Sequence, residues 1–179
     1  MSQINLAYQH YPNPEKETLF IIHGLLGSGD NWRSIANQLQ PQFNIVCPDC
    51  RNHGLSFHSN TMTYLEMATD ILTLVKKYSK RTCYIIGHSM GGKIAMTCLQ
   101  QNPELFKKAL IVDIAPKSYE HKHLNVFKAI KQLQLNQYKH RQDILLALKP
   151  FNCDEPTKQL ILKNIGRDQS QQFYWKPNI

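Results

Sequence analysis

The feature that most restricts the fold is an alternation of short apolar runs with amphipathic segments through residues 18–114. Thr18–His23 is an apolar run ending at Gly24. Phe43–Cys47, Cys83–Ile86 and Ala109–Ile114 are three more, each too short for a helix and rich in β-branched residues. Between them, Asn31–Gln40, Thr63–Ser79 and Gly91–Gln101 carry apolar side chains at the helical period. Strand-helix alternation of this kind predicts an α/β fold, a parallel sheet with helices on both faces. Asp30 is placed to cap the first helix, and Gln3–Tyr8 is expected to add a short edge strand. Leu65, Met67, Ala68, Ile71, Leu72 and Val75 are the expected core face of the long helix.

After Pro116 the pattern changes. Tyr119–Gln137, Arg141–Leu148 and Thr157–Ile165 all read as helices, with polar connections and no strong strand among them. Two domains are expected, 1–116 as a sheet-and-helix core and 117–179 as an all-helical insertion. Charge divides at nearly the same place. Residues 1–104 carry 8 Lys+Arg against 7 Asp+Glu, whereas residues 105–179 carry 13 against 6. A basic segment attracts phosphate, coenzyme A, acidic lipid or nucleic acid, or is simply a solvated helical face. No nucleic-acid motif accompanies it, so no nucleic-acid partner is expected. The first twenty residues lack a signal-peptide pattern, and no apolar run reaches membrane-spanning length. With five cysteines, an odd count, the expectation is a cytoplasmic chain with reduced thiols.

Chemistry enters at Gly87-His88-Ser89-Met90-Gly91, a G-x-S-x-G pattern between an expected strand and an expected helix. In that context the serine occupies a tight, strained turn, and flanking glycines leave room for it. Ser89 is then a nucleophile candidate; the competing reading is a glycine-rich turn with Ser89 as a helix cap. An oxyanion hole needs two backbone N–H groups. Met90, after the serine, and Leu25, in the turn His23-Gly24-Leu25-Leu26-Gly27-Ser28, are the candidates. Asp113 ends the strand after the nucleophile strand, one strand spacing away, where one imidazole could bridge it to Ser89. Its alternative role is to cap the following turn.

Asp49 and Arg51, in Pro48-Asp49-Cys50-Arg51-Asn52-His53-Gly54-Leu55-Ser56, are expected to hold their loop by local hydrogen bonds. Cys47 and Cys50 form a C-x-x-C with His53 and His58 close behind, so a zinc site or redox pair is the competing reading. A zinc site wants a second ligand pair and a redox pair should open a helix, so neither metal nor cofactor is expected.

Taken in order, HGLLGSGDNW, PDCRNHGLS, GHSMGGK and VDIAP resemble the α/β-hydrolase superfamily, and more narrowly its small bacterial esterases and their mitochondrial relatives. The resemblance implies a hydrolase core, a helical cap after the Asp113 strand, and hydrolysis of a small-molecule acyl ester or thioester. It matches Ser89 to the nucleophile, Asp113 to the acid, and Leu25 and Met90 to the oxyanion donors. Such proteins continue past the cap with further strands and a catalytic histidine. The histidines here, at 10, 23, 53, 58, 88, 121, 123 and 140, do not fall in that context. The sequence therefore reads as a truncated hydrolase, with His121 and His123 weak substitutes for the base. A binding protein on the same scaffold, or C–C bond cleavage, are the alternatives.

Overall fold

The computed structural model describes residues 6–79, 81–119 and 124–178. They form two compact units, residues 1–116 and 117–179.

The first unit is built on a five-stranded sheet. Its strands are β1 (Tyr8–Tyr11), β2 (Thr18–Ile22), β3 (Asn44–Pro48), β4 (Cys83–His88) and β5 (Phe106–Val112). Their spatial order is β1-β3-β2-β4-β5; every pairing is parallel except β1 on β3. The edge strand thus exists, but it runs over Tyr8–Tyr11 rather than Gln3–Tyr8. Part of the expected span, residues 3–5, lies outside the described residues. Central β2 and β3 are buried throughout, as strands covered on both faces must be.

The sheet's two faces bury different sets. Phe20, Ile22, Val46 and Ile85 pack with helices α2 (Tyr64–Tyr78) and α3 (Met90–Gln101). Leu19, Ile21, Ile45 and Cys47 face Ala36 of α1 (Arg33–Leu39). Alternate residues of β4, Tyr84 and Ile86, lean on that second cluster and are only half-buried.

Thr63 caps α2: its hydroxyl accepts from Glu66 N–H at 3.2 Å, and its own N–H donates to Glu66 Oε2 at 2.9 Å. This reciprocal pair explains why the helix begins where the apolar period does. Leu65 departs from expectation. It lies in the helix's first turn and is 60% exposed, whereas Met67, Ala68 and Ile71 are buried. Asp30 is not the cap of α1. A 3₁₀ turn over Gly29–Trp32 precedes that helix, Trp32 takes the cap position, and Asp30 pairs with Arg33 instead.

The second unit contains α4 (Leu124–Gln132), α5 (Arg141–Ala147) and α6 (Glu155–Lys163). Arg141, at the start of α5, donates to the Leu162 and Ile165 carbonyls at 2.7 and 3.0 Å, tying it to the end of α6. The unit is not all helical. β6 (Ile165–Arg167) and β7 (Phe173–Trp175) pair antiparallel. Three-residue strands are too short to show a two-residue period, and Ile165 continues the helical period of α6, which hid the hairpin. A Cβ at Gly166 would lie 2.5 Å from the exposed Tyr174 ring, which would have to shift.

Candidate active site

The turn from β4 into α3 is possible because of its glycines. A Cβ on Gly87 would lie 2.3 Å from the Gly91 carbonyl oxygen; one on Gly91 would lie 2.4 Å from that of Ile22. On Gly92 it would meet Ile114 at 2.4 Å. The turn is pressed against the carboxyl ends of both neighbouring strands. At its apex Ser89 has φ 52° and ψ −116°, an unfavourable conformation for a residue with a side chain. The surroundings hold it there. Ser89 N–H donates to the Val112 carbonyl at 3.0 Å, and the Ser89 carbonyl accepts from Gly92 and Lys93 at 2.9 and 3.2 Å.

Asp113 directly follows β5 and also has positive φ, 55°. The Ser89–Val112 bond therefore brings the nucleophile candidate and the acid candidate to adjoining strand ends. Asp113's side chain is 84% exposed. Its Oδ2 lies 3.8 Å from His88 Nε2, too long for a hydrogen bond. His88 is the last residue of β4, just before Ser89. The structure packs its ring on the oxyanion-candidate loop, where a Cβ on Gly24 would lie 2.9 Å from His88 Nδ1, and sets it edge-on to Trp32. The alternation of β4 was the available signal, since it puts His88 on the Tyr84–Ile86 face.

Met90 is the first residue of α3, so its N–H is one of the helix's unsatisfied amino-terminal donors. Leu25 lies in a turn closed by Gly27 N–H donating to the Gly24 carbonyl at 3.0 Å. Gly91 abuts Ile22 and His23, so the two candidate donors belong to segments in contact.

His23 anchors that loop. It is fully buried; its Nε2 accepts from Cys50 N–H at 2.9 Å, so Nδ1 carries the proton donated to the Gly24 carbonyl at 2.7 Å. Burial, and then the nearby His53, pull its pKa down to about 3. Both nitrogens are committed and the ring stays neutral, so His23 positions the loop and is no base. His53 is buried likewise and donates from Nδ1 to the Arg51 carbonyl at 2.9 Å. Among the described residues, neither the Ser89 hydroxyl nor the Asp113 carboxylate hydrogen-bonds to an imidazole. His121 and His123 lie outside the described residues.

Asp49 and Arg51 reach further than their own loop. Asp49 accepts from Gly29 N–H at 2.7 Å and Leu55 N–H at 2.8 Å, linking the loops after β2 and β3. Arg51 makes a two-pronged pair with buried Asp70 of α2 at 2.6 and 2.9 Å. Cys47 and Cys50 do not converge. They enter the cores on opposite sheet faces, and burial pushes both thiols up, Cys47 to about 12. All five cysteines are free thiols.

Comparison with known proteins identifies the family and fold. A family model described as the alpha/beta hydrolase fold matches residues 17–150. A Danio rerio protein named sn-1-specific diacylglycerol lipase ABHD11 is 33% identical over 190 residues, covering 99% of this chain and 59% of its own length. Esterase YbfF of Escherichia coli is 32% identical over 164 residues, covering 90% of this chain and 65% of that protein. The chain thus spans less than two thirds of these curated relatives. A solved marine microorganism esterase superposes with a TM-score of 0.93 at 36% identity, over 98% of this chain and 69% of that one.

Proposed function

Because the chain belongs to the α/β-hydrolase family, we propose that it is a serine hydrolase of carboxylic esters or thioesters, acting through an acyl-enzyme on Ser89. The observation that carries this reading is the strained apex at Ser89, enforced by Gly87, Gly91 and Gly92. Proteins tolerate such strain mainly where a side chain must be presented for chemistry. In this mechanism the Ser89 hydroxyl attacks the acyl carbon and passes its proton to an imidazole, a group that the described residues do not place on it. The Leu25 and Met90 N–H groups take the developing oxyanion. The alcohol or thiol leaves with that proton, and water then releases the acid by the same route. Asp113 is the group that holds the imidazole's tautomer and stabilises its charged form. Its exposed carboxylate, beside the nucleophile turn, is available for such a partner. Residues 117–179 come after β5 in the chain and are read as the cap. With five free thiols, a reducing cytoplasm suits the chain.

The alternative reading is a binding protein on the same scaffold. A fluorophosphonate probe separates the two. In the full-length protein it is expected to label Ser89 and to leave Ser89→Ala unlabelled. Equal labelling of both, or of neither, would remove the nucleophile and favour binding.

A further inference from the structure

His88 stands between two segments that the site draws from other strands. One is the loop after β2. A Cβ on Gly24 would meet three atoms first, all of them of His88: Nδ1 at 2.9 Å, Cε1 at 3.4 Å and the carbonyl oxygen at 3.4 Å. The ring and the glycine are therefore matched. Nδ1 sits next to the ring's point of attachment, so only a turn of the whole ring would make room for a larger residue. The other segment is the end of β5, where Asp113 Oδ2 lies 3.8 Å from His88 Nε2. Each nitrogen edge of one imidazole thus faces a part of the candidate site.

The ring is held at its base and open at its rim. β4 alternates, so His88 lies on the face of Tyr84 and Ile86, which lean on the Leu19, Ile21 and Ile45 cluster. Trp32 leans on the same cluster and meets the His88 ring edge-on, with centroids 6.5 Å apart. The backbone below is fixed by the register of His88 with Val112 and by the Ser89 N–H bond to the Val112 carbonyl. Even so, 42% of the side chain stays exposed. A ring this open adds little core burial, so packing alone gives a weak reason for it.

We propose that His88 is a positioning residue, whose imidazole sets the separation between the Gly24–Leu25 loop and the Asp113 carboxylate. This role rests on the hydrolase reading, in which Leu25 N–H takes the oxyanion and Asp113 orients the base. Both groups must stand at fixed distances from the Ser89 hydroxyl, and a displacement of about 1 Å costs on the order of 100-fold in rate. His88 directly precedes Ser89, so one ring ties both distances to the turn that carries the nucleophile. In this role His88 moves no proton and forms no bond with substrate. It acts through Leu25 and Asp113.

The test pairs fluorophosphonate labelling rates of the full-length protein with thermal melts. His88→Ala is expected to slow labelling of Ser89 by about 10- to 100-fold while moving Tm little, because the side chain is partly exposed. His88→Gln, which keeps a polar donor toward Asp113, should recover much of the rate. Combining His88→Ala with Asp113→Asn should slow labelling by less than the product of the two single effects, since one acts through the other. Gly24→Ala should lower Tm and slow labelling, and adding His88→Ala should restore part of the Tm by removing the overlap. The proposal is overturned if His88→Ala is labelled as fast as the wild type, or if His88→Gln is no faster than His88→Ala. It is also overturned if the effects with Asp113→Asn multiply in full, if Gly24→Ala gains no Tm from His88→Ala, or if rate and Tm fall together across the His88 variants, which makes the ring a packing group. A wild type that is not labelled at Ser89 overturns the hydrolase reading and this role with it. A labelled wild type with any of the other outcomes overturns this role alone.

Discussion

At the scale of single residues, the site is made by side chains that are absent. Gly87 has no room for a Cβ because the Gly91 carbonyl stands 2.3 Å from where it would be. Gly87→Ala must push the turn open, and is expected to lower stability by about 1–3 kcal/mol, with loss of Ser89 labelling. Urea denaturation beside the fluorophosphonate assay measures both. His23 gives a pH signature. Its folded pKa, near 3, lies below the ordinary 6.5, so from pH 6.5 downward the unfolded chain takes up a proton that the folded chain refuses. The contribution is complete above pH 6.5 and falls away as pH drops toward 3. A His23→Asn variant should be less stable at pH 7.5 and should show a smaller further loss on acidification than the wild type. Parallel slopes for the two proteins would show that His23 does not titrate on unfolding.

At the scale of elements, the loop after β3 is held by its link to α2. Arg51 and Asp70 are both buried, with side-chain exposures of 8% and 1%. Arg51→Met leaves Asp70 as an unpaired buried charge and should cost about 3–5 kcal/mol, whereas Asp70→Leu should cost less, because Glu66 still faces Arg51 at 3.3 Å. The double variant should recover much of that loss, because the cost lies in the unpaired charge more than in the missing attraction. A double-mutant cycle by urea denaturation checks this, and additive losses would refute it. The partner of Arg51 was not legible beforehand, since Asp70 stands nineteen positions away on a helix whose apolar period marks Asp70 only as an interruption. By contrast, α2 itself was legible to within a residue, through the period of Met67, Ala68, Ile71, Leu72 and Val75. The hairpin of β6 and β7 was not, because its strands are short and its pairing is a contact between segments.

At the scale of the whole molecule, β5 is the feature open to other chains. Among the described residues it is an edge of the sheet, and residues 107–110 are exposed, Leu110 by 56%. The run expected as the strand, Ala109–Ile114, has no charge before Asp113. The strand in fact starts at Phe106, so Lys107 and Lys108 lie on it, and Lys107 pairs with Glu17 at 3.0 Å. The lysines oppose edge pairing and Leu110 favours it. The chain is expected to self-associate as concentration rises, and Leu110→Lys to suppress this without lowering Tm. Gel filtration across a concentration series, with thermal melts, decides it; unchanged association in Leu110→Lys would place the contact elsewhere.

Local chemistry carried much of this protein in its sequence. The alternation of apolar runs with helical periods determined a parallel sheet, and Gly87 with Gly91 around Ser89 determined a strained turn, because both depend on near neighbours along the chain. Tertiary structure decided what depends on distant ones. It brought the Gly24 loop against His88, the Val112 carbonyl to Ser89, and Asp70 to Arg51, and it sent Cys47 and Cys50 to opposite cores. Exposure was settled at the same level. Leu65 and Met67 are alike as letters, yet only the packing of α2 against α3 leaves one in solvent and buries the other, since burial is a property of what surrounds a side chain.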